Sequence, residues 1–217
     1  MFKQTLLVQW KWSRAALAAL TVLVIIVPVL TMRIAMMTST AQTPSSLVEF
    51  TEILGALLAI VSVICGIAVQ NTAWQADISG RYVYALSLPI TWTRFVWYRA
   101  AASTLLLVIP AVGLFLGGVV ALSFVTLPET LHGYPAGVAV RFFLGSLFAF
   151  GLWGLLLRVT GQRASVVLLV LLLLCVVIPL VLQASGLGAS GTNLLRGLVA
   201  SPSPLAIYVA RWALIDV

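Results

Sequence analysis

The feature that most limits how this chain can fold is a recurrence of apolar runs. Each is close to the roughly 20 residues an α-helix needs to cross a hydrocarbon layer of about 30 Å. They fall at 15–32, 48–69, 95–125, 138–157 and 164–182, and a shorter sixth stretch at 204–217 is interrupted by Arg211. A soluble reading fails on composition: apolar residues make up 62% of the 217 positions and charged residues 8%, against roughly 25% charged in soluble domains. So few charges cannot cover a water-facing surface, and lipid must be the solvent for most of the chain. The expected fold is all-α, a polytopic membrane helix bundle forming a single transmembrane domain over 1–217 with about six spans. The last span is expected to be short or truncated, with the natural chain continuing past Val217, because the pattern stops without a polar tail. Intrinsic disorder, a disulfide-stapled secreted fold and nucleic-acid binding are excluded on the same grounds.

The net charge of +7 reads as topology. With the N-terminus inside, inner segments hold Lys3, Lys11, Arg14, Arg81, Arg94, Arg99, Arg158 and Arg163. Outer segments hold Arg33, Arg141 and Arg196. Eight against three is a positive-inside bias, and the opposite orientation inverts it. The expected location is therefore an integral position in a bacterial plasma (inner) membrane, N-terminus cytoplasmic. The first apolar run exceeds the 7–15 residues typical of a signal-peptide core and is followed directly by Arg33, so it reads as a retained span.

Residues 1–13, MFKQTLLVQWKW and Ser13, are not a span. Phe2, Leu6 and Trp10 recur at four-residue spacing, and two tryptophans stand beside lysines. That pattern predicts an interfacial helix in the headgroup layer. On the outer side, residues 38–46 form an uncharged linker of small polar residues, and 183–204 mix Gly, Ser and Pro.

Little here carries chemistry. There is no GxxxxGK[ST] loop for nucleotide phosphates and no HExxH, and the one histidine, His132, lies in a Pro/Gly-bearing loop. Cys65 and Cys175 sit in apolar runs and read as small buried hydrophobes. No catalytic or metal-ligating set emerges. Glu49 and Glu52 share a helical face near the outer start of the second span. They are expected to form an outer charge cluster with Arg33 and Arg141, or to bind a cation or relay protons. Gly113 and Gly117 form a GxxxG in the third span, and Gly145, Gly151 and Gly154 punctuate the fourth. Small residues of this kind let helix backbones approach closely.

The most informative segment is the inner loop over 70–94. Asp77 and Arg81 at i, i+4 support a short helix. Tyr82, Tyr84 and Leu86 add surface that lipid does not account for, and Pro89 forces any helix to break. A helical, surface-bearing loop of this kind suits contact with a soluble partner.

These residues resemble the signature loop of the permease subunits of type-2 ABC exporters: an acidic residue, Gly, a hydrophobic stretch, Leu-x-Leu-Pro, then a basic residue leading into a span. The matching positions are Asp77, Gly80, Leu86, Leu88, Pro89, Arg94 and Arg99. Arg81 stands where that pattern has Thr, and Arg99 where it has Lys. The resemblance implies a six-span permease without catalytic activity of its own, forming a substrate pathway with a second permease copy or paralogue in membrane lipid. It implies docking of a separate ATP-binding cassette subunit through Asp77, Gly80, Arg81, Tyr84, Leu86, Leu88, Pro89 and Arg94. ATP and Mg would be held by that partner, with no cofactor in this chain, and the N-terminal helix would lie along the inner leaflet. A membrane scaffold or assembly factor without transport, and an ion-coupled secondary transporter using Glu49 and Glu52, remain as alternatives.

Overall fold

A computed structural model describes residues 2–38, 44–79, 91–125, 132–170, 206–209, 212 and 214–216. Among them are five α-helices: α1 (Phe2–Thr38), α2 (Pro44–Ser79), α3 (Trp92–Ser123), α4 (Pro135–Thr160) and α5 (Ala206–Val209). The first four are long and apolar enough to cross a membrane, and the chain is a helical membrane protein. Two two-residue strands, β1 (His132–Gly133) and β2 (Ile215–Asp216), pair antiparallel, His132 opposite Asp216 and Gly133 opposite Ile215.

The chain divides into two compact units. The first contains residues 1–151 and 211–217. Within it, contacts between α1 and α3 run in the same order along both helices. Phe2 meets Tyr98, Gln9 meets Ser103, Thr21 and Ile25 meet Gly113 and Gly117, and Arg33 meets Phe124. The two helices are therefore parallel neighbours over nearly their whole length, with α2 and α4 running the other way. The centre of this seam is where the GxxxG is used. A Cβ on Gly117 would lie 2.8 Å from the Ile25 carbonyl oxygen and 2.9 Å from its Cα. Glycine is what lets the backbones meet there. A second close crossing joins α2 to α4, where a Cβ on Gly66 would strike the Ser146 carbonyl and lie 2.7 Å from the Phe150 nitrogen.

Several hydroxyls at lipid depth are satisfied within their own helices. Thr21 and Thr31 donate to the carbonyls of Leu17 and Val27, and buried Ser62 and Ser146 donate to those of Ala59 and Phe142. This local bonding is what hydrocarbon demands of a hydroxyl, since no water is available to it. Cys65 is fully buried and free, in keeping with its apolar surroundings in sequence; Cys175 lies outside the described residues.

The second unit contains residues 152–210. Leu152–Thr160 of α4 end at a single 3-10 turn, Gly161–Arg163, and residues 164–170 are again helical. Gly161 has φ +58, the left-handed conformation that ends helices and that glycine adopts without a Cβ penalty. The boundary expected between 157 and 164 falls at this turn.

Three expectations need correction. Four helices among the described residues can span, not six. In the expected span 164–182, only 164–170 are described. In 204–217, α5 has four residues, and Ile215–Asp216 take extended pairing with β1. Trp212, Leu214 and Ile215 are buried there, Trp212 against Gly55 of α2. Neither described piece is long enough to bridge 30 Å, and Ile215–Asp216 satisfy backbone groups by strand pairing. The second correction concerns residues 1–13. From Phe2 they are the start of the 37-residue α1 and not a separate interfacial helix. No Gly or Pro precedes Pro28, so nothing ends the helix near Ser13. A buried stripe of Thr5, Gln9 and Ser13 runs on into Leu17, Val24 and Met32. The third is the loop 70–94. Its first ten residues continue α2 and its last three begin α3.

Candidate functional site

Helix lengths define the site. α1, α2 and α3 have 37, 36 and 32 residues, about 48–55 Å at 1.5 Å per residue, well beyond a hydrocarbon core of about 30 Å. Arg14 and Arg33, both exposed, are 19 positions apart on α1, a rise of about 29 Å. Apolar residues fill the interval between them, so the core fits between these two cations. Residues 2–14 of α1, about 70–79 of α2 and about 92–104 of α3 therefore extend past it at one end. Gln70, Asn71, Thr72 and Gln75 of α2 make the change to polar sequence plain.

At this basic end the three extensions are tied together. The Arg99 guanidinium of α3 donates to the Ala73 carbonyl of α2, and its carbon lies 5.9 Å from the Phe95 ring centroid. The Gln9 amide nitrogen of α1 donates to the Ser103 hydroxyl, which itself donates to the Arg99 carbonyl at 3.0 Å. Phe2 and Tyr98 meet edge-to-face with centroids 6.1 Å apart. One acceptor in this seam is unpartnered: the buried Oε1 of Gln9.

Two of the residues expected to meet a soluble partner, Asp77 and Arg94, lie at the same end. Asp77 is in the last turn of α2 and Arg94 in the first turn of α3, its side chain exposed. Thr91 is extended and precedes the first helical residue, its carbonyl accepting from the Phe95 nitrogen at 3.1 Å. Gly80, Arg81, Tyr84, Leu86, Leu88 and Pro89 lie outside the described residues. Trp97, in the second turn of α3, is 70% exposed.

At the opposite end lie residues of the expected outer charge cluster. The Arg33 guanidinium lies over the Phe124 ring, 5.4 Å from its centroid, and that of Arg141 over the Trp212 ring at 5.8 Å. Glu52 is exposed on α2; Glu49 is helical, its side chain outside the description. Between α3 and α4 lies a shallow groove of about 370 Å³, lined only by apolar side chains, among them Val108, Phe115, Ala139 and Phe143.

Sequence reading missed the Gln9–Ser103 pair and the seat of Trp212. The buried stripe of Thr5, Gln9 and Ser13 at four-residue spacing was a readable signal for the first, because an apolar-rich helix with a polar stripe predicts a polar partner. Nothing in the sequence marks the Trp212 seat. No protein-family model, no curated protein and no solved structure matches this chain.

Proposed function

We propose that this chain is the transmembrane permease subunit of an ATP-driven type-2 exporter, working with a second permease copy or paralogue and a separate ATP-binding cassette subunit. The observation that carries the reading is the tie between α2 and α3 through Arg99 and the Ala73 carbonyl. Both helices run past the hydrocarbon core at the end richest in Lys and Arg, the inner side by the positive-inside rule. They flank the segment 80–90, whose Gly80, Leu86, Leu88 and Pro89 resemble the coupling loop of that family. A motor that works by nucleotide-driven motion must push on something stiff, since a slack connector absorbs the displacement. Two helices joined side to side just above the loop supply that stiffness. The chain has no phosphate-binding loop, so hydrolysis belongs to the partner, with its ATP and Mg.

The test is co-expression with a candidate ATP-binding cassette subunit, comparing wild type with Arg81→Glu and Tyr84→Ala. Each variant should insert normally yet weaken co-purification, or uncouple ATP hydrolysis from transport in liposomes, by about 1–3 kcal/mol if the residue anchors the interface. Wild-type binding and coupling in both variants would reduce the loop to an anchor and sink the exporter reading.

A further inference from the structure

We propose that the exposed face of α1 around Trp10, Lys11 and Arg14 is a binding seam for anionic phospholipid headgroups. The face is defined by helical geometry: Lys3, Leu7, Lys11 and Arg14 recur at i, i+4, i+8 and i+11, with Trp10 beside them. All five are exposed, Leu7 at 55% and Trp10 at 41%. The other side of the same turns carries Thr5, Gln9 and Ser13, all buried, with Gln9 donating to Ser103 of α3.

This distribution is inverted for a helix in water, with small polar groups inside and leucine and tryptophan outside beside the cations. It is equally wrong for hydrocarbon, where three cations would stand without counter-charge. The headgroup layer satisfies both, because indole rings and alkyl stems face acyl carbon while amines and guanidinium reach phosphate. Placement agrees. With the core between Arg33 and Arg14, Lys11 and Trp10 sit one turn beyond its edge, where lipid phosphates lie.

Charge complementarity selects the lipid. No Asp or Glu precedes Glu49 in the sequence, and none occurs from Trp92 to Phe124. The cations of α1 therefore have no acidic partner on their own helix or on its parallel neighbour α3. Lys11 and Arg14, three residues apart, lie about 4.5 Å apart along the axis and can engage one phosphate together. Lys3, about 12 Å farther out along the axis than Lys11, stands beyond the headgroups and adds only longer-range attraction to their charge. A soluble acidic protein could approach Lys3 but is kept from Arg14 by the bilayer. This inference depends on neither transport nor a motor subunit.

The experiment reconstitutes the full chain in phosphatidylcholine vesicles and measures, by electron spin resonance, the relative association of spin-labelled phosphatidylglycerol and spin-labelled phosphatidylcholine. Wild type should favour phosphatidylglycerol on the order of fivefold, and raising salt should erode that preference. The Lys3→Gln/Lys11→Gln/Arg14→Gln variant should fall to near parity, while Lys3→Arg/Lys11→Arg keeps the preference. Two outcomes overturn the proposal: no preference in wild type, or an unchanged preference in the triple Gln variant. If the triple variant keeps its lipid preference and loses a co-expressed cassette subunit, the face is a protein-docking surface and the lipid assignment is wrong.

Discussion

The two ends of the α1–α3 seam solve the same problem with different chemistry. At the basic end the helices are joined by hydrogen bonds, Gln9 to Ser103 and Ser103 to the Arg99 carbonyl, with an aromatic pair below. At the far end, Arg33 rests on the Phe124 ring. Between them the backbones touch at Gly113 and Gly117. A buried amide constrains its partner in direction and penalises loss of either half, because what remains is desolvated. A cation over a ring tolerates displacement and, when exposed, can return to water. The basic end is thus geometrically specified and the far end is yielding.

The largest effect should come from the point that both ends depend on. Gly117→Leu drives a side chain into the Ile25 backbone and should cost about 3 kcal/mol, read by SDS unfolding in mixed micelles. A near-neutral result would mean that α1 and α3 do not meet there. Ser103→Ala is next. It strips the Gln9 amide of its acceptor when Oε1 already lacks a donor, and should cost about 1–2 kcal/mol. Gln9→Met removes the amide altogether at similar volume and should come closer to neutral than Ser103→Ala; the reverse order would show that the amide is satisfied after all. The smallest effect belongs to the far end, where Arg33→Ala should lose about 0.5 kcal/mol. If it costs more than Ser103→Ala, the contrast between the ends is inverted.

Much of this fold was readable from hydropathy alone, because hydrocarbon thickness sets helix length. The first four spans, the helix break at Gly161–Arg163 and the burial of Cys65 all follow from where apolar runs begin and stop. Charges misled the reading at the N-terminus. Lys3, Lys11 and Arg14 marked a boundary of the bilayer, which was taken as a boundary of the helix, although no residue before Pro28 breaks helical geometry. Near the C-terminus, apolar content around Trp212 suggests a span, yet Ile215 and Asp216 are extended and pair with β1. GxxxG announced a close approach without naming its partner, since small residues specify distance and not identity. Of the candidate site, Asp77 ends α2 and Arg94 begins α3, while the loop core from Gly80 to Pro89 lies outside the described residues. The Arg99 contact with α2 depends on which helix stands beside α3, and one sequence does not carry that.

The continuity of α1 has a mechanical consequence. From Ile25, where its backbone is pressed against Gly117, down to Phe2 there is no proline or glycine to act as a joint. That stretch is a rigid arm of about 35 Å. A swing of about 10° at the Ile25 fulcrum sweeps the Phe2 tip through about 6 Å, more than one helical turn. Lipids gripping Lys11 and Arg14 hold that arm partway along, so its free travel is set by the membrane as much as by the protein.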